Sequence, residues 1–560
     1  MLLGGKRVLY QHKRMNKRFL VIFSSILLLA FFLRMYALTQ YPTGFHIDEV
    51  TLGWNAYSIL KTGRDETGRF LPLYSRSFGL DRALGNFLLT AVSINFLGLS
   101  EFAVRFPFAF FGGLTLILWY VFIKKLIIST KIALISTLLL AISPWHIALS
   151  RTSSESTVSL FLILLGHIFF LSALSQKKFS HMILSWVSLT LSLFFYHSAV
   201  GFVALSVITL GSWSFLKATT QKERLWSGLT LLFIGVLTFV FFIFGKGGAN
   251  RFDQVAFYRD STVTYELDKM RFEEGSLQVL RARIFHNKLI VYTKVLIKNY
   301  FDYFSVDFLF VNGGKPPRYM PPAMGLLYLF ELPLLLIGLY VLARKWNQAW
   351  VLLFLLLLVS PVVAALTSEY TPNLQRSFFM VPYLEVIVSL GLWQVLTVIS
   401  KKKLWLFSSM LLLSLPIIYY LHQYYIHMPV HDPLYRNDGA KELVTTVMSL
   451  KSQFDKIIIT RDPEPPYHYF FFFTKLSPFE FQEKYVPLIH QEKDWAFEDM
   501  TIFTQKECPT DIENAYPGNV LFVNSGQCLF DNKMKLLFTS VGTITRKDGS
   551  IVYQLLKRKI

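Results

Sequence analysis

The stretch FHIDEVTLGWNAYSILKTGRDETG, Phe45 to Gly68, places His46, Asp48 and Glu49 directly after a long apolar run, with Asp65 and Glu66 further on. Carboxylates within a few residues of a membrane span are costly unless solvated, paired or metal-bound, so Asp48 and Glu49 are candidates for chemistry. A carboxylate there can act as a general base on an acceptor hydroxyl or amine, or hold a divalent cation against a phosphate. The structural alternative is a helix start, with Asp48 capping EVTLGWNAYSIL and Glu49 near the positive end of the dipole. The two readings are compatible, because a cap also holds a carboxylate rigidly. Asp65 and Glu66 read as a solvated turn in KTGRDETG.

Arginine supplies a second set. Arg105 in EFAVRFP, Arg151 in SPWHIALSR, Arg318 in GGKPPRY and Arg376 in NLQRS each stand at the mouth of an apolar run. A guanidinium in such a place can make two parallel hydrogen bonds to a phosphate. Snorkelling to lipid headgroups is the alternative for any one of them, but four beside a carboxylate pair favour donor-phosphate binding. Further candidate substrate contacts are His46, His197 in YHSA, His286 and Asn287 in RIFHNK, and Tyr319 at the end of an aromatic stretch that begins at Tyr300. Such rings suit a sugar or lipid and equally an interfacial aromatic belt. No cofactor is required by any motif; a divalent cation, if one takes part, falls to Asp48 and Glu49.

The setting for these residues is a membrane. Of 560 residues, 53% are hydrophobic and 16% aromatic, while only 16% are charged, which is the balance of an integral membrane protein. The net charge of +20 falls in short clusters between apolar segments, so it points to membrane topology and not to nucleic acid. Lys6 to Arg18 precedes the run Phe19–Leu38, which is long enough to span and has no small-residue cleavage site after it. It reads as a retained anchor with a cytoplasmic N-terminus. Further spans are expected at about 104–123, 131–147, 156–176, 182–196, 199–217, 225–245, 322–343, 348–366, 377–399 and 404–424, about eleven in all. If they alternate, Lys124/Lys125/Lys131, Lys177/Lys178, Lys217/Lys222/Arg224, Arg344/Lys345 and Lys401/Lys402/Lys403 share the side of the N-terminus. Counting 84–100 as a span would reverse every later cluster, so that segment is expected to be an interfacial or re-entrant helix.

The fold class that follows is an all-α polytopic membrane protein with outer interfacial helices and a small C-terminal α/β domain. Residues 1–426 form the membrane domain, with outer loops at about 39–103 and 246–321. Residues 427–560 form the extracytoplasmic domain, marked by the strand-like KIIIT and NVLFVNS and the helix-like GAKELVTTVMSLKSQF. The two cysteines, Cys508 and Cys528, both lie there; in an oxidising compartment they can pair, with two buried thiols as the alternative. P-loop, G-x-G-x-x-G and Cys/His zinc patterns are missing from the sequence, which argues against nucleotide-driven chemistry in the short cytoplasmic loops.

The segments HIDEVTLGWNAYSILKTGRDETGRFLPL, NFLGLSEFAVRFPFAFFGGLTLILWYVF and SPWHIALSRTSSE resemble the bacterial membrane glycosyltransferases of family 39. That family belongs to the superfamily of protein O-mannosyltransferases and the aminoarabinose transferase acting on lipid A. RIFHNK, FLFVNGGKPPRY and NLQRS resemble later loops of a bacterial branch, whereas RALGN, Arg82 to Asn86, departs from the proline-leucine that members often carry. The resemblance implies a GT-C bundle, a polyprenyl-phosphate-linked sugar donor, and an extracytoplasmic acceptor that is a protein, glycolipid or wall polymer. It implies Asp48 as general base or metal-assisting carboxylate beside Glu49, Arg105 and Arg151 on the donor phosphate, and displacement with inversion. The rival readings are a transporter or flippase of a lipid-linked sugar, which would carry charges near the bilayer midplane, and a non-catalytic membrane scaffold.

Overall fold

A computed structural model of the chain describes residues 17–77, 80–244, 254–275, 279–344, 347–399, 414–461, 465–486, 494–498 and 501–559. The basic stretch up to residue 16, Lys345, Lys401–Lys403 and residues 404–413 of the expected last span lie outside them. The first ten α-helices are α1 (Lys17–Met35), α2 (Ile47–Thr62), α3 (Leu84–Leu97), α4 (Glu101–Ile127), α5 (Thr130–Ile142), α6 (Pro144–Arg151), α7 (Glu155–Gln176), α8 (Phe179–Leu193), α9 (His197–Lys217) and α10 (Gln221–Phe244). Among the described residues seven helices are long and apolar enough to cross a membrane, and α5 with α6, bent by 54°, makes an eighth if taken as one span. The expected count of about eleven is not reached. The 182–196 run forms α8, only 15 residues long, and the 322–343 run is helical only over Glu331–Arg344, 14 residues.

The chain forms two compact units, one of Met1–Tyr36 and Phe108–Leu421, the other of Ala37–Pro107 and His422–Ile560. Compaction thus departs from the expected division at residue 426: the loop 39–103 folds with the C-terminal region. Its helix α2 buries an apolar face, Val50, Leu52, Trp54 and Ile59, and the Trp54 ring packs against Phe471 and Phe481.

In the first unit the bend between α5 and α6 follows from Pro144, which has no N–H for the Leu140 carbonyl. The next amide, Trp145 N–H, donates to Leu326 O at 3.3 Å instead of continuing the helix. The two carbonyls so released accept from the buried Arg34, Leu140 at 3.1 Å and Ala141 at 3.0 Å. Helices Glu331–Arg344 and Val381–Ile399 pack backbone to backbone: a Cβ at Gly338 would lie 2.1 Å from Ile387 O, and one at Gly391 1.9 Å from Leu334 O.

In the second unit β1 (Tyr74–Ser77) and β2 (Leu80–Ala83) form an antiparallel hairpin ahead of α3. The buried side of α3 carries Asn86, Thr90 and Ser93, while Leu88, Val92 and Phe96 are exposed. An open face that is apolar suits contact with lipid. The C-terminal strands β3 (Lys456–Thr460), β4 (Trp495–Phe497), β5 (Thr501–Thr504), β6 (Val520–Ser525), β7 (Phe538–Thr545) and β8 (Ile551–Arg558) make one sheet in the order β4-β5-β3-β6-β8-β7. Strands β5, β3 and β6 are parallel, and Ile457 to Ile459 are fully buried, as expected for a strand covered on both faces. Cys508 and Cys528 are joined by a disulfide, with Cα atoms 5.8 Å apart.

Candidate active site

The acidic pair lies in the first turn of α2. His46, not Asp48, is the N-cap: its Nδ1 accepts from the Asp48 N–H at 3.0 Å. The helix ends at Gly63, whose positive φ of 71° allows the left-handed cap and whose N–H donates to Ile59 O. Between these ends, neighbouring side chains leave a helix about 100° apart, so Asp48 and Glu49 enter different surroundings.

Glu49 goes inward. Its two carboxylate oxygens accept from Arg105 Nε at 2.9 Å and Nη2 at 2.7 Å, and both side chains are buried. The other Arg105 protons go to Leu38 O and Pro42 O at 3.1 Å each and to Gly44 O at 2.7 Å. All five N–H groups of Arg105 are therefore occupied. The guanidinium ties the chain leaving α1 to α2, and its donors go to Glu49, the expected catalytic neighbour of Asp48, and to backbone carbonyls, none to an expected donor phosphate.

Asp48 points elsewhere and its side chain is 28% exposed. Its Oδ1 pairs with Arg82 Nη2, and Arg82 Nη1 donates to the Asp48 carbonyl at 2.6 Å. His46 Nδ1 also stands 3.5 Å from Asp48 Oδ2. That nitrogen already presents its lone pair to the amide, so this approach becomes an ion pair only when the ring is protonated. Arg82 sits at the end of β2, opposite Ser75, and the hairpin delivers it. Sequence reasoning missed it. The departure at RALGN marked the place but not the role, since the contact joins residues 34 apart.

Asp65 and Glu66 are not the solvated turn expected from KTGRDETG. Asp65 is fully buried and accepts from the amides of Thr67 at 2.9 Å and Arg69 at 3.0 Å, from Ser75 Oγ at 2.9 Å and from Arg69 Nη2 at 3.1 Å. Glu66 is buried too, with Oε2 3.4 Å from His468 Nε2. The loop turns inward at Asp65 because these partners satisfy a carboxylate that water would otherwise solvate.

The remaining candidates belong to the other unit. Arg151, expected on the donor phosphate, is fully buried and donates to Leu33 O at 2.9 Å and Tyr36 O at 2.7 Å, acceptors at the end of α1. Loops 312–319 and 367–376 are joined by backbone hydrogen bonds at Lys315, bringing Arg318, Tyr319 and Arg376 into one region. Arg318 donates to Tyr319 Oη at 3.0 Å, and that hydroxyl donates to Gln375 Oε1 at 3.1 Å. Arg376 pairs with Glu369 Oε2 at 2.5 Å. His197 opens α9. His286 lies 3.0 Å from Glu274, and Asn287 caps the helix Lys288–Asp302 through the Ile290 N–H at 3.0 Å. Arg105 donates one hydrogen bond to each Glu49 oxygen, and among the described residues no three His, Cys, Asp or Glu side chains converge on a metal position.

Comparison with known proteins finds similar folds and a matching family model. The structure of ArnT from Cupriavidus metallidurans in the apo state aligns over 96% of this chain and 98% of that chain, with a TM-score of 0.50 at 11% identity. The Archaeoglobus fulgidus oligosaccharyltransferase in complex with zinc and sulfate aligns over 80% of this chain and 61% of that chain, with a TM-score of 0.45 at 12% identity. An uncharacterized protein of Aquifex aeolicus (strain VF5) is 27% identical over 165 residues, 29% of this chain and 31% of that protein's length. The chain has the GT-C fold. Residues 24–249, which contain Asp48, Glu49, Arg82, Arg105 and Arg151, match the family described as dolichyl-phosphate-mannose-protein mannosyltransferase. The segments whose sequence resembles the mannosyltransferase-like membrane glycosyltransferases near Asp48, Arg105 and Arg151 lie inside the matched residues.

Proposed function

We propose that the chain transfers a sugar from a polyprenyl-phosphate donor to an acceptor on the outer side of the cytoplasmic membrane, with Asp48 as general base. The observation that carries this reading is the division of labour within the acidic pair. Glu49 is buried against Arg105, whereas Asp48 is partly exposed and paired with Arg82, on a helix start whose position Arg82 and His46 fix. The family description names a dolichyl-phosphate sugar, which supports a lipid-phosphate donor. The disulfide is in keeping with an oxidising compartment for the C-terminal region.

In the reaction the acceptor oxygen attacks the anomeric carbon while its proton passes to the Asp48 carboxylate. The bond from that carbon to the lipid phosphate breaks, the phosphate leaves with the bonding electrons, and the configuration inverts. Arg318 and Arg376 keep the assignment as phosphate-binding candidates in their own unit. The test is transfer from a radiolabelled polyprenyl-phosphate sugar in membranes containing wild type or Asp48→Asn. A positioned general base contributes about 10²- to 10⁴-fold, so the variant is expected to lose at least two orders of magnitude. Undiminished transfer would remove Asp48 from this role.

A further inference from the structure

Helix α2, which carries Asp48, is gripped along its whole length by residues from the C-terminal part of the same compact unit. At its start the Ile47 N–H donates to Asn437 Oδ1 at 2.9 Å, and the Tyr469 hydroxyl donates to the Phe45 carbonyl at 2.8 Å. These contacts bracket His46, the residue whose ring caps the Asp48 amide. At the middle, a Cβ on Gly53 would lie 2.6 Å from Phe472 Cε2. At the far end, Gln482 Nε2 donates to Ser58 Oγ at 3.0 Å and Thr62 Oγ1 at 2.9 Å.

The segment presenting Asn437 is itself braced. Arg436 is buried and donates to His431 O at 2.8 Å and to Met428 O. Asn437 adopts the left-handed conformation, φ 54°, which asparagine tolerates better than most residues and which ends the short helix Pro433–Arg436. Its backbone also reaches the loop closely: the Arg436 carbonyl lies 2.3 Å from where a Cβ on Gly44 would be. Gly44 has φ +78°, so it meets both demands at once.

We infer that Asn437 and Tyr469 are positioning residues for the transfer reaction, and that the C-terminal region acts by setting the first turn of α2, and with it Asp48. The inference rests on the proposed role of Asp48. A carboxylate that must meet an acceptor proton at hydrogen-bond distance is sensitive to small displacement, since about 1 Å of misplacement can cost on the order of 10²-fold in rate. Neither Asn437 nor Tyr469 needs to touch a substrate for this effect.

The test uses the full chain in detergent or membranes, with Asn437→Ala/Tyr469→Phe, the conservative Asn437→Asp, and Glu513→Gln as a control that breaks the Arg558 ion pair at the C-terminal end of β8. The double variant is expected to lose about tenfold or more in kcat with KM for the polyprenyl-phosphate sugar unchanged. Amide hydrogen exchange over residues 46–50 should accelerate about fivefold, the equivalent of one lost hydrogen bond. Asn437→Asp keeps an acceptor oxygen and should restore both readouts when the tyrosine is intact, while Glu513→Gln should leave both at wild-type values. Unchanged exchange, or a kcat loss no larger than in the control, overturns the inference. Accelerated exchange with normal kcat also overturns it if Asp48→Asn is inactive; if Asp48→Asn is fully active, the base assignment is what has failed.

Discussion

Replacing Glu49 by glutamine separates stability from chemistry at neighbouring residues. The Glu49–Arg105 pair is buried and bidentate, and Arg105 also binds three backbone carbonyls of the chain leading into α2. Glutamine retains one acceptor for two guanidinium protons and leaves the arginine charge buried without its counter-charge. Breaking such a pair costs about 3–5 kcal/mol. For a domain of roughly 200 residues, about 2–4 °C is lost per kcal/mol, so the melting midpoint should fall on the order of 10 °C. Asp48→Asn disturbs a partly exposed pair worth about 1 kcal/mol or less, hence a shift of only a few degrees. The assay is thermal unfolding of purified protein in one detergent at one scan rate, paired with sugar transfer below the lower midpoint. Glu49→Gln should melt early while its folded fraction retains transfer; Asp48→Asn should melt near wild type and transfer little. A Glu49→Gln protein as stable as wild type but inactive would refute the division of roles.

Two further outcomes follow from the second unit. Asp438 is buried and accepts from the Lys547 N–H at 2.9 Å, and burial raises its carboxyl pKa above the usual 3.8. Between the unfolded and folded values the native state holds more protons, so the stability this group contributes is full below about pH 3.8 and is lost as pH rises through the folded pKa. The difference in melting midpoint between Asp438→Asn and wild type should therefore grow in the variant's favour through that window and then level off; a constant difference would contradict the burial argument. Gly53→Ala must displace Phe472 and Val104, each 2.6 Å from the new Cβ, and should destabilise by about 1–3 kcal/mol in chemical or thermal unfolding.

Much of the architecture was legible in the residues because apolar runs and their lengths are local properties. Helices α1, α4, α7, α9 and α10 fall close to the expected spans, and β3 and β6 fall on KIIIT and NVLFVNS. The sequence alone also located the acidic pair after the first span and the family resemblance around it. It could not say which acid faces inward. Adjacent helix positions diverge by about 100°, and the rotation of α2 is set by Trp54 and Gly53 packing against Phe471, Phe481 and Phe472, more than 400 residues away along the chain.

The arginines were legible as residue types but not as partners. Arg105 is 56 residues from Glu49 and Arg151 is 118 from Leu33, separations that no local spacing rule encodes. Both guanidiniums satisfy groups left without partners where the chain enters or leaves a helix, a need that arises only once the helices are packed. Composition and hydropathy determined that this protein is a membrane bundle with acids beside its first span. Tertiary structure decided that Asp48 stays partly exposed beside Arg82, that Glu49 is buried against Arg105, and that the first loop folds with the C-terminal region, because burial and pairing depend on surfaces brought together from distant parts of the sequence.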